Sequence, residues 1–67
     1  MAKIQLNGKN LKIIQKLSIK QLISKYKLNK NRIAIELNGS ILHKSKFKKT
    51  FLKNKDKVEI VHFIGGG

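Results

Sequence analysis

Apolar and polar residues alternate in short runs along most of this chain, and one stretch switches to a longer period. In "AKIQL", Ile4 and Leu6 alternate with Lys3 and Gln5, the period of a half-buried strand. Asn7-Gly8 follows, a hairpin signal because both residues tolerate positive φ, and "LKIIQ" supplies the second strand. From Ser18 the period lengthens. Ile19, Leu22, Ile23 and Tyr26 stand at i, i+3, i+4 and i+7, one face of a helix of about three turns. Ser18 caps it and Gln21 completes a capping box, with Leu17 placed to staple onto Leu22. Lys25 and Lys27 sit near its carboxyl end, where cations suit the helix dipole.

"LNKNR" is the exit loop, with Asn29 or Asn31 suited to a left-handed conformation. "RIAIEL" alternates strictly, placing Ile33, Ile35 and Leu37 on one side, before a second Asn-Gly turn at Asn38-Gly39. "ILH" is short enough for an edge strand. "KSKFKKTFL" has weak periodicity, although Phe47 and Phe51 stand four apart and admit a helical turn. "NKD" turns the chain into the last strand, "KVEIVHF". The predicted order is therefore β-β-α-β-β-β. A mixed sheet of about five strands, packed on one main helix, buries every apolar stripe at once. The last strand then lies centrally, beside the first. That α+β arrangement is the one seen in β-grasp domains, here expected over residues 1–64, with 65–67 as a flexible glycine tail.

A chain of 67 residues buries only about 60% of its unfolded surface, so the core is thin and there is no room for a deep enclosed active site. No cysteine is present, which removes disulfides, thiolate metal ligands and a cysteine nucleophile, and suits a reducing compartment. The start carries no secretory pattern, and no apolar run approaches the ~20 residues needed to cross a bilayer. The expectation is a cytoplasmic protein with no membrane partner.

Charge changes the picture less than its size suggests. There are 16 basic residues against 3 acidic ones, a net +13. Fifteen of the 16 are lysine and only Arg32 is arginine, while Lys, Ile and Asn together make 31 of 67 residues. AT-rich codons produce that bias by themselves. Base-reading and bidentate phosphate contacts favour arginine, and no strand interleaves basic and aromatic residues. Composition outweighs a nucleic-acid partner.

The inventory of chemical side chains is sparse. Ser18, Ser24, Ser40, Ser45, Thr50, His43 and His62 are the candidates, but Ser18 serves as a cap and no acid is spaced to orient either histidine. Two histidines and three scattered carboxylates make a poor metal set. No catalytic residue, metal ligand or bound cofactor is expected, and the chain is not read as an enzyme. The remaining chemistry is at the terminus, "VEIVHFIGGG". Gly65 and Gly66 have no side chain, so they can thread a narrow cleft in another protein and present the α-carboxylate of Gly67. ATP activates such a group as an acyl-adenylate, with every catalytic residue on the partner. On the three glycines alone a frayed end is the favoured reading, because termini fray routinely.

Together "IELNGSIL", "LKNKDKVEIVHFIGGG" and the chain length resemble the ThiS-type sulfur carriers of thiamine biosynthesis, ubiquitin-like β-grasp proteins that end in Gly-Gly. The resemblance spans the whole chain and implies a mechanism. A ThiF-type adenylyltransferase uses ATP to activate Gly67, sulfur-donor proteins convert it to a thiocarboxylate, and the thiocarboxylate supplies a ThiG-type thiazole synthase. One position departs from the family pattern: Lys55 stands in the turn before the last strand, where the family commonly has glycine. A positive φ there costs lysine about 1 kcal/mol, unless Asn54 takes the conformation instead.

Alternation in the last strand predicts that Val58 and Ile60 face the helix. Val61 and Phe63 then share the open face with Lys57 and Glu59, and with Ile64 they form an apolar docking patch beside the tail. The other possibility for Phe63 is a strand bulge that returns it to the core. Three other functions share some of these features: the small subunit of molybdopterin synthase, a basic nucleic-acid-binding protein, and a ubiquitin-like modifier. The molybdopterin subunit is usually longer and often has prolines before its glycines; this chain has none.

Overall fold

The computed structural model describes residues 2–13 and 16–62. Five strands form one mixed sheet: β1 (Ala2–Leu6), β2 (Lys9–Ile13), β3 (Ile33–Leu37), β4 (Ser40–Leu42) and β5 (Lys57–His62). The spatial order is β2-β1-β5-β3-β4. β5 runs parallel to β1 and antiparallel to β3, so the last strand is central, as the sequence predicts. A single α-helix, α1 (Ile19–Lys25), covers one face. Both Asn-Gly pairs have positive φ at each residue, which gives the tight turns that join β1 to β2 and β3 to β4. The second strand begins at Lys9, earlier than its apolar run suggests, because a two-residue turn pairs Leu6 directly with Lys9. The second half of "LKIIQ", Ile14 and Gln15, lies outside the described residues.

α1 has seven residues, too few to be stable alone. Its buried side chains Ile19, Leu22 and Ile23 contribute roughly 1.5–3 kcal/mol each, several times what the cap adds. They belong to a core completed by Ile4, Ile13, Ile33, Ile35, Phe47, Leu52 and Val58. The amino end of α1 leaves no orphan donors in its first turn. Gln21 N donates to Ser18 Oγ at 3.1 Å and Ser18 N donates to Gln21 Oε1 at 2.8 Å, the predicted capping box. Ile19 N and Lys20 N donate to the carbonyls of Thr50 and Phe47. The long connection from β4 to β5 therefore docks against the start of the helix.

The helix is shorter than its apolar stripe. Tyr26 is the C-cap and is 42% exposed, so it leaves the core-facing stripe. Lys27 follows with φ +56°. Leu28 N donates to Ile23 O, and Lys27 N to Ser24 O, the two bonds of a Schellman motif. A lysine occupies the left-handed position that glycine usually takes. The predicted left-handed residue, Asn29 or Asn31, does another job: Asn29 Oδ1 accepts from Asn31 N and caps a short 3-10 turn, Lys30–Arg32.

A second 3-10 turn, Lys44–Lys46, leads into the stretch with the two phenylalanines. They do not share a face. Phe47 is buried, whereas Phe51 is 41% exposed with Lys16 Nζ 5.4 Å from its ring centre. The turn before β5 resolves the question about Lys55, which has φ +74°. Asn54 instead uses Oδ1 to accept from Lys3 N. No helix among the described residues is long and apolar enough to cross a membrane.

Two stability effects follow. Lys27→Gly and Lys55→Gly should each raise the unfolding free energy by about 0.5–1 kcal/mol, because relief of left-handed strain exceeds the added chain entropy. Equal or lower stability by urea titration would contradict strain at these positions. Ser18→Ala should cost about 1 kcal/mol and shift the melting midpoint by about 4–8 °C.

Candidate functional site: the end of the central strand

β5 carries the chain to its carboxyl end, and its pairing changes along its length. Near its start it is bonded on both sides. Gln5 and Leu6 of β1 align with Lys57 and Val58, and Leu37 to Ile33 of β3 align with Val58 to His62. β1 ends at Leu6 and turns away. Asn7 extends the pairing by one step: Asn7 N donates to Val58 O at 2.9 Å, and Asn7 Oδ1 accepts from Ile60 N at 2.7 Å. Beyond that point Val61 and His62 are aligned, among the described residues, only with Ala34 and Ile33 of β3. Among the described residues, the end of β5 is thus paired on the β3 side alone.

The start of β5 is fixed by a second asparagine. Asn38 Oδ1 accepts from Lys57 N at 2.8 Å and Asn38 Nδ2 donates to Asp56 Oδ1 at 3.0 Å. Asp56 Oδ2 accepts from Lys53 N at 2.8 Å, the backbone bond expected of a turn aspartate. Sequence reasoning treats Asn7 and Asn38 only as turn formers. Their side chains also clamp β5, and the available signal was the asparagine itself, since glycine would make the same turns without the clamp.

The faces of β5 sort as alternation predicts. Val58 is buried, and Ile60 is half-buried against the core. Val61 is 49% exposed on the open face, beside half-buried Ala34 on β3. Ile41 of β4, 66% exposed, lies on the same face opposite Glu36, and Glu36 lies opposite Glu59. Two features here went unread in the sequence. One is the exposure of Ile41, hidden because a three-residue strand gives no clear alternation. The other is the Glu36–Glu59 juxtaposition, which depends on the β3–β5 register. The remaining site candidates, Phe63, Ile64, Gly65, Gly66 and Gly67, lie outside the described residues.

The described side chains form no other constellation. His43 and His62 are both exposed, and neither hydrogen-bonds to a carboxylate among the described residues. No group of three or more metal-ligating side chains occurs among them. Ser18 is spent on the helix cap. On the helix side of the sheet, Leu6, Leu11, Leu28 and Ile60 line an open cleft with Tyr26 and His62 at its mouth. Asn7, Lys9 and Asn10 complete its lining, which contains, among the described residues, no serine, threonine or carboxylate to pair with His62.

Known proteins match this arrangement over nearly its full length. A sequence model of the ThiS family matches residues 4–67. The sulfur carrier protein ThiS of Bacillus subtilis is 37% identical over 65 residues, covering 96% of this chain and 98% of that protein. A thiazole synthase of Paramagnetospirillum magneticum is 31% identical over 65 residues, 97% of this chain but only 20% of that protein. The crystal structure of the thiamine biosynthesis protein ThiS from Geobacter metallireducens superposes with a TM-score of 0.81 at 32% identity, covering 97% of this chain and 99% of that one. The chain belongs to the ThiS family of ubiquitin-like, β-grasp sulfur carriers.

Proposed function

We propose that the chain carries sulfur for thiazole formation in thiamine biosynthesis as a thiocarboxylate on Gly67. The observation that carries this is the extent of the family match, which runs through the terminal glycines to residue 67. The carboxylate of Gly67 attacks the α-phosphorus of ATP in an adenylyltransferase of the ThiF type, and pyrophosphate leaves. A sulfide equivalent released by a donor protein then attacks the acyl carbon and AMP leaves, so that the acyl–sulfur bond replaces the acyl–phosphate bond and gives the thiocarboxylate. The thiocarboxylate sulfur is delivered to a thiazole synthase of the ThiG type. A thiazole synthase that contains a segment similar to nearly all of this chain supports that partner. ATP is bound by the activating enzyme, so the chain is a cosubstrate and needs no cofactor of its own.

Geometry supports the division of labour. A five-residue segment spans ~17 Å when fully extended, enough to carry the terminal carboxylate from the end of β5 into a cleft. Gly65 and Gly66 add no side chains to that thread. Val61 is exposed on the open face at the point where β5 loses its second neighbour. It forms the part of the docking patch nearest the sheet, with Phe63 and Ile64 continuing it.

Incubation with the activating enzyme, ATP and a sulfide source should exchange one terminal carboxyl oxygen for sulfur, read by intact mass and by alkylation of the new thioacid. The chain should also restore growth of a thiamine auxotroph that lacks its own carrier. Removal of Gly67 should abolish both. Conversion that persists without Gly67, or no conversion by an enzyme active on another carrier, would contradict the proposal. Val61→Asp should raise the KM for the carrier about tenfold, as loss of a central apolar contact does, while the melting midpoint stays unchanged. A large fall in melting midpoint would place Val61 in the structural core instead.

A further inference from the structure

The fold sorts the charge in a way the composition does not reveal. The two connecting segments on the helix side, residues 16–32 and 43–52, hold six and four basic residues respectively. Neither holds an acidic residue. All three acids lie elsewhere: Glu36 and Glu59 on the open sheet face, and Asp56 in the turn before β5. The sheet and its turns therefore carry six basic residues against the three acids, and the helix-side layer carries most of the excess.

Within that layer is a groove of about 440 Å³ between α1 and the Lys44–Lys46 turn. Lys20, Lys30, Lys44 and Lys48 stand around it and no acid lines it. Half-buried Leu28 supplies the apolar contact on its floor, with Ile23 and Phe47 buried behind it. Lys44 is positioned by a hydrogen bond from its Nζ to Asn31 Oδ1 at 3.2 Å. Four ammonium groups around one concavity repel one another, and a polyanion seated there relieves that repulsion and gains apolar contact below it.

We infer that this groove is a docking surface for an acidic segment of a partner protein, one that brings carboxylates to the lysine rim and an aliphatic or aromatic side chain to the floor. A protein segment fits better than nucleic acid for two reasons. No arginine lines the groove, so bidentate phosphate contacts are absent from it. Its one aromatic, Phe47, is 3% exposed and offers no stacking platform. The groove lies on the face of the sheet opposite Val61, so its occupant leaves the open face free. The interaction is independent of the tail chemistry and persists in a chain shortened by Gly66 and Gly67.

The test uses the full chain, isotope-labelled, with a fluorescent glutamate-rich peptide containing a central Leu-Phe pair. Oligothymidylate is the comparison probe. At physiological ionic strength the peptide should shift the amides of Lys20, Ser24, Lys44, Ser45 and Lys48 and leave those of Glu59 and Val61 in place. Lys20→Glu with Lys48→Glu should weaken binding about tenfold or more, whereas Lys3→Glu with Lys12→Glu, the same change in net charge on the sheet side, should weaken it less than about twofold. Equal losses from the two double variants would reduce the effect to net charge and overturn the proposal. So would tighter binding of oligothymidylate to the same amides, or no saturable binding of the peptide.

Discussion

The structure depends on the pairing of β5 between β1 and β3. Because β1 and β5 are parallel, they cannot be joined by a tight turn, and the chain must travel from the first hairpin through the helix and back before the pair can form. The parallel contact is short, two aligned residue pairs, and the Asn7 and Asn38 side chains extend and fix it at either end. This one contact joins the amino-terminal hairpin to the β3–β4 hairpin in a single sheet. It also leaves the last two described residues of β5, Val61 and His62, aligned with β3 alone among the described residues, since β1 ends at Leu6.

Around that pairing the chain tolerates local costs. A seven-residue helix stands because three of its side chains are buried and the β4–β5 connection satisfies its amino end. Lysines occupy two left-handed positions, Lys27 and Lys55, where glycine would be easier. In a core of ten buried apolar residues among those described, such strain of about 1 kcal/mol per site is a sizeable share of the few kcal/mol by which a domain of this size stands above unfolding.

Much of this was legible in the residues. Asn-Gly pairs mark turns by a local rule, and the Ser18–Gln21 box marks a helix start, so these held in position. Alternation assigned Val58, Ile60 and Val61 to the correct faces because a strand buried on one side has no freedom to slip. Other features depend on contacts distant in sequence. The helix stripe continues through Tyr26 on paper, but a Schellman motif at Lys27 ends the helix first. The Asn7 bond to Ile60 N and the opposition of Glu36 and Glu59 exist only once the register is set. The terminal chemistry was accessible by a different route. With no cysteine and few histidines or acids, the carboxyl end of the chain is the group left to propose as reactive, and the family match through residue 67 supports that proposal. Charge was the least legible property, because a count of lysines does not show that the fold places most of the excess on one layer.

The most direct measurement of the central claim is the intact mass of this protein isolated from its native cell, followed by fragmentation to locate any modification. The expected result is a population with one carboxyl oxygen replaced by sulfur, confined to Gly67 and increased when the sulfur acceptor is depleted. A terminus that remains an unmodified carboxylate under that condition, or one joined through Gly67 to a lysine of another protein, would contradict the sulfur-carrier role.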